Sequence, residues 1–216
     1  MTPFASKMRS KSVDFGFFPI LAFHALGILT IVYWDRDFYA QFTSLNLVIT
    51  SILLSFSQPG KWYQVLLYFL TCTLLGFGIE WLGTRTGWPF GEYQYGANLI
   101  PLVAGVPAVI GINWFVLSLA GRAVAASIFR SPWVYIPIAA LMMTGLDLFL
   151  EPIAPLLDFW AWKGGAAPLA NYLGWFGFSL ILQLIHFFLL PEAINTRARS
   201  YFFLIWIFFL YMNFTL

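Results

Sequence analysis

Residues 132–152 read PWVYIPIAALMMTGLDLFLEP. Between its two end prolines lies an apolar run close to the roughly 20 residues that a helix needs to cross the hydrocarbon core of a bilayer. Near the end of that run stands Asp147, and four residues later Glu151 meets the closing proline. A charged side chain in mid-span costs about 3 kcal/mol on insertion scales unless it faces a bundle interior or a water-filled cavity. The stretch therefore predicts a membrane helix that turns an acidic stripe inward, ended by Pro152.

The whole chain has the same character. Of its 216 residues 61% are hydrophobic, 20% aromatic and 9% charged, against about 25% charged in soluble domains. Too few polar side chains exist to cover a water-facing surface, which excludes a soluble globule; the dominance of aliphatic and aromatic residues excludes disorder. A single cysteine, Cys72, rules out a disulfide scaffold and reads as a buried apolar residue. A net charge of +2 is too small for a nucleic-acid surface.

Working outward from residues 132–151, six further stretches are apolar enough to span: 17–34, 38–56, 62–83, 101–121, 169–190 and 201–215. The second is polar and the last short, so six spans are the alternative to seven. Phe17 to Trp34 follows Lys7, Arg9 and Lys11 but is too long and ends in residues too bulky for a cleaved signal, so it reads as an anchor. The expectation is an all-α integral membrane protein, a polytopic bundle of about seven helices forming one domain over residues 1–216.

With seven spans, Lys7, Arg9, Lys11, Lys61, Arg122, Arg130, Arg197 and Arg199 fall on one side, and Arg36, Arg85 and Lys163 on the other. The positive-inside bias then puts the N terminus in the cytoplasm. The acids sort oppositely: Asp35, Asp37, Glu80, Glu92, Asp147, Glu151 and Asp158 gather at the non-cytoplasmic face, while Asp14 and Glu192 lie with the bases. Two long connections rich in glycine, proline and aromatics, residues 84–100 and 152–168, share the acidic side and have the character of segments that fold over or into the bundle mouth.

Thr144, Asp147 and Glu151 lie on one helical stripe. Two carboxyls a turn apart repel if both ionise, so in a dry site one keeps its proton and sits as an acid beside a carboxylate, the pairing that acid and base catalysis uses. The alternative for Glu151 is an interfacial ion pair with Lys163 or Arg85. Glu80 closes the third span among Gly76, Gly78 and Gly83, which permit close helix approach; its alternative is a salt bridge to Arg85. GWPFGEYQYG, residues 87–96, forms a turn whose Trp88, Phe90, Tyr93 and Tyr95 suit a pocket lining or an interfacial aromatic belt, with Glu92 either an acid of the site or solvent-exposed. Asn113 and Trp114 stand within the fourth span, and Asn171, Trp175, Ser179, Gln183 and His186 share a stripe of the sixth, as helix-packing groups or as site residues. His24 reads as a hydrogen-bonded core residue. Two histidines and one cysteine make no metal-ligand spacing, and no phosphate loop, dinucleotide fingerprint or Ser-His-Asp order is present. Any chemistry here needs no metal or cofactor and rests on carboxylates, aromatics and water.

The succession of Glu80, GWPFGEYQYG, Gly105-Val106-Pro107, Asn113-Trp114, Asp147 with Glu151-Pro152, FWAWKGG (159–165) and PLANYLGWF (168–176) resembles the carotenoid 1',2'-hydratase family, over about residues 75–180. One departure is visible, because that family usually has Asp before the proline where this chain has Glu151. The resemblance implies a membrane enzyme that adds water to the terminal C1'=C2' double bond of an acyclic carotenoid end, as in gamma-carotene, lycopene or longer relatives, giving a tertiary alcohol. Asp147 would donate the proton, and Glu80 or Glu151 would stabilise the cation and handle the water. Trp88, Phe90, Glu92, Tyr93, Tyr95, Asn113, Trp114, Trp160, Asn171 and Trp175 would line the substrate site, and a desolvated aromatic face stabilises a cation by about 2 kcal/mol. The alternatives are a membrane carotenoid cyclase, in which an internal double bond captures the cation, and a transporter, which requires polar groups to continue across the membrane.

Overall fold

In lipid every backbone polar group needs an internal partner, and helices supply one within each segment. The computed structural model, which describes residues 17–191 and 193–216, is accordingly a helical bundle. The helices are α1 (Phe18–Tyr33), α2 (Arg36–Ala40), α3 (Thr43–Ser57), α4 (Trp62–Thr86), α5 (Ile110–Ile128), α6 (Pro132–Leu150), α7 (Leu169–Leu189) and α8 (Thr196–Thr215). Five segments are long and apolar enough to cross a membrane: Arg36–Ser57, which joins α2 to α3, and α4, α5, α6 and α7. The chain is an all-α, multi-pass membrane protein. α1 is shorter, and the opening turn of α8 carries Arg197 and Arg199. Lys7, Arg9, Lys11, Asp14 and Glu192 lie outside the described residues.

The second expected span keeps its place, as Arg36–Ser57, with Asp35 capping its start by accepting from the Phe38 N–H and a turn at Gln41 and Phe42 between α2 and α3. The fourth starts nine residues later than Pro101, because residues 101–109 hold a small hairpin of β2 (Leu102–Val103) and β3 (Val106–Pro107). Its turn residues Ala104 and Gly105 both have positive φ (50° and 81°), the conformation that a two-residue hairpin turn demands.

α5 is the central helix, buried without interruption from Trp114 to Ala125, with Ser118 and Arg122 within the buried stretch. Its contact with α4 is so close that a Cβ on Gly111 would stand 2.1 Å from the Thr73 carbonyl oxygen. Arg122 is not a loop charge: it sits within α5, 4% exposed, donating to the Tyr135 hydroxyl at 2.9 Å and stacked on that ring. It drops out of the charge count that sets orientation.

The two long connections meet. β1 (Tyr93–Tyr95) pairs antiparallel with β4 (Trp160–Trp162), in the register Tyr93 with Trp162 and Tyr95 with Trp160. Strand periodicity then turns all four rings to one face, while Gln94 and Ala161 point outward and are exposed. Asp158 ties the loops together further on, accepting from the Ala97 N–H at 2.9 Å. The result is an aromatic cover at the bundle end where α4 and α6 finish.

Candidate functional site

Beneath that cover lie three carboxyls. Glu80, in the last turns of α4, is 5% exposed and surrounded by donors: its Oε2 accepts from the hydroxyls of Tyr93 (2.6 Å) and Tyr95 (2.8 Å), and its Oε1 accepts from Trp114 Nε1 (2.9 Å). Burial, reinforced by the neighbouring Glu80 carboxyl, pushes both phenols well above their ordinary range, so they remain O–H donors. Space for Tyr93 comes from Gly83, whose missing Cβ would lie 2.7 Å from the tyrosine oxygen.

Asp147 and Glu151 come from the end of α6, one turn apart. A single amide nitrogen, Asn171 Nδ2 of α7, donates to both: to Asp147 Oδ2 at 2.7 Å and to Glu151 Oε1 at 3.1 Å. Glu151 Oε2 accepts from the indole N–H groups of Trp162 (2.5 Å) and Trp160 (3.2 Å). Burial raises the Glu151 carboxyl above the ordinary range, while the N–H donors of Trp162, Trp160 and Asn171 pull it the other way. Asp147 is completely buried, and its Oδ1 has no hydrogen-bond partner.

Between the two groups lies a cavity of about 20 Å³ lined by Glu80, Glu151, Asn171, Tyr93, Tyr95 and a wall of apolar and aromatic side chains. A volume of roughly 10–15 Å³ on this measure holds one water molecule, given two or more polar partners. The lining rings are backed by a second aromatic layer: Trp114 packs on Trp175 at 4.1 Å between ring centroids, meets Phe178 edge-on at 4.8 Å and stacks with Phe90. Outside, Tyr93 and Trp162 also border a polar surface bowl of about 530 Å³ that includes Arg85, Glu92 and Lys163.

Phe90, Tyr93, Tyr95, Trp114, Trp160, Asn171 and Trp175 thus converge on the carboxyls, with Glu80 and Glu151 lining the cavity and Asp147 behind Asn171. Three residues lie elsewhere. Trp88 is 63% exposed because the turn directs it away from the bundle, and Glu92 is held at the surface by Lys163 at 2.5 Å. Asn113 faces away from the carboxyls, into a mostly apolar cleft on the other side of α5. Neither ion-pair alternative is formed, since Arg85 stacks on Trp81 (4.6 Å) and Lys163 is engaged by Glu92. The Thr144 hydroxyl donates to the Ala140 carbonyl of its own helix, and Gly78 has open space where its Cβ would be. Trp162 was missed by reasoning from sequence. The signal was present, because in a strand Trp160 and Trp162 must share a face.

His186 lies apart, edge-on to Tyr68, and His24 Nδ1 donates to the Ile20 carbonyl of its own helix at 2.8 Å. The half of the bundle remote from the carboxyls is more polar than expected: Gln183 donates to Ser118, whose hydroxyl also meets Tyr68 at 2.5 Å, and Arg122 is buried nearby. Among the described residues no group of three or more His, Cys, Asp or Glu side chains is placed to hold a metal ion.

Residues 40–216 match the model of a family described as carotenoid biosynthesis protein. The chain is also 34% identical over 122 residues to a bisanhydrobacterioruberin hydratase of Haloarcula japonica, a match that covers 50% of this chain and 40% of that protein. The chain thus spans less than half the length of that relative. No solved structure matches.

Proposed function

The chain belongs to the carotenoid biosynthesis protein family, and from that premise we propose that it is a carotenoid hydratase adding water to the terminal C1'=C2' double bond of an acyclic end group. The observation that carries the reading is the water-sized cavity held between Glu80 and Glu151 inside an otherwise aromatic wall. The similarity to a protein named as a hydratase of a carotenoid supports the reaction type.

Hydration needs an acid, a cation that survives briefly, and one water. Glu80 and Glu151 are met almost entirely by donors, which suits carboxylates. Asp147 has one donor and one unpartnered oxygen and holds the proton. That proton passes through Glu151, which faces the cavity, to C2' of the alkene. The π pair forms the new C–H bond and leaves a tertiary cation at C1'. Trp175, Trp160 and Trp162 line the cavity and stabilise the positive charge without capturing it, and the two carboxylates oppose it across a dry site. Water closes on C1', its extra proton goes to Glu80, and return of that proton to the Asp147–Glu151 pair restores the enzyme. The sum is alkene plus water giving tertiary alcohol, with no redox change. The bowl beyond Tyr93 and Trp162 supplies water from the surface.

Expression in bacteria that accumulate lycopene or gamma-carotene tests the reading. Pigment masses should rise by one water per acyclic end; altered retention at unchanged mass would mean cyclisation instead.

A further inference from the structure

A second space touches the carboxylate cavity from inside the bundle. It is a cleft of about 80 Å³ enclosed by α1, α3, α5, α6 and α8, with Leu47, Leu117, Leu146, Ile205 and Phe208 among its walls. Ile110 and Trp160 line both spaces, so these two side chains form the partition between the cleft and the cavity. Their linings differ in kind. The cavity holds two of the carboxyls; the cleft contains no Asp, Glu, Lys or Arg, and its His24 is already engaged at Ile20. From Ile110 at the partition to Leu117, seven residues along α5, the cleft runs about 10 Å at the rise of an α-helix.

We propose that this cleft seats the polyene adjoining the reacting end of the substrate, and that the end group alone passes between Ile110 and Trp160 to the carboxyls. The proposal rests on the hydratase reading for its occupant. Its own content is a binding site on the α1, α3 and α8 side of α5, where Asn113 faces, away from the aromatic cover of β1 and β4. Walls that are mostly apolar, with Thr43, Asn46 and Asn113 among the exceptions, fit a hydrocarbon shaft. A partition of only two side chains, Ile110 and Trp160, between cleft and cavity fits a ligand whose tip reacts while its body stays dry. Because the cleft takes only about 10 Å of a molecule comparable to the 30 Å bilayer core, the enzyme reads one end and is blind to the other. Lycopene and gamma-carotene should therefore be hydrated at their acyclic ends at rates within about threefold of each other.

The test is binding of lycopene to the full chain in detergent, read by the circular dichroism that a chiral protein site induces in the polyene absorption band. Wild type and Glu80→Gln should both give the signal, since Glu80 lies in the cavity and not in the cleft. Leu117→Trp and Ile205→Trp fill the cleft from opposite walls and should abolish the signal. Leu117→Ala, which introduces no clash, should weaken binding about tenfold, the scale on which a hydrophobic pocket registers lost methylenes. Wild-type binding in all three cleft variants overturns the inference, and so does loss of a co-purified phospholipid with lycopene binding unchanged. A wild-type protein that binds lycopene through the cleft yet forms no hydrated product leaves this inference standing and defeats the hydratase reading, so the two failures are distinguishable.

Discussion

Removing the two phenol hydroxyls from Glu80 probes the proposed carboxylate with almost no change in packing. Tyr93→Phe and Tyr95→Phe each delete an O–H that donates to the same Oε2, at 2.6 and 2.8 Å, and leave the rings where they pack on Phe90, Trp162 and Trp160. A hydrogen bond to a charged group is worth about 1.5–3 kcal/mol. If Glu80 must be a carboxylate when the cation forms and water is deprotonated, each loss lowers turnover about 10- to 150-fold, at 1.36 kcal/mol per tenfold. Both bonds serve one oxygen, so the survivor strengthens in each single variant, and the double variant loses roughly 10²- to 10⁴-fold, more than either alone. The assay is product formed per folded protein in nanodiscs, with thermal unfolding followed in parallel to separate turnover from stability. Turnover within twofold of wild type in both single variants, and no further loss in the double, would refute a carboxylate role for Glu80.

Further expectations follow from the same geometry. Asp147→Asn and Glu80→Gln should abolish product while the protein still inserts and accumulates, as read by immunoblot beside pigment mass spectrometry; near-normal turnover in both removes the site assignment. Gly83→Ala should reproduce the Tyr93→Phe loss of turnover, because the new Cβ would stand 2.7 Å from the Tyr93 oxygen and displace it from Glu80. Trp162→Phe deletes a donor that favours ionised Glu151, so the carboxyl rises further and the acid limb of the pH–rate profile moves to higher pH; an unmoved limb contradicts the relay. Lys163→Ala breaks only an exposed pair with Glu92 and should leave turnover unchanged.

Much of this was legible in the residues. Hydropathy located every long helix because lipid demands long apolar runs, and the cost of burying charge singled out Glu80 and Asp147 inside theirs. Residues 101–109 deceived the same reasoning, since an apolar hairpin and an apolar helix turn look alike by hydropathy, and only Pro101, Gly105 and Pro107 hinted at the difference. Arg122 was counted as a flanking charge because composition cannot tell a snorkelling arginine from one stacked on Tyr135. The pairing of β1 with β4 joins segments about 67 residues apart, and no local pattern encodes which strand meets which. Strand alternation puts Trp162 on the face of Trp160, but only the pairing shows that this face bonds Glu151 while Trp88 faces outward.

The central claim is that water, placed between Glu80 and Glu151, becomes the hydroxyl of the product. Turnover of lycopene by the purified protein in H₂¹⁸O under argon tests it most directly. The account predicts a product whose mass has risen by one heavy-oxygen water for each hydrated end. A product lacking the label, one that forms only when air is admitted, or an isomer of unchanged mass would contradict it.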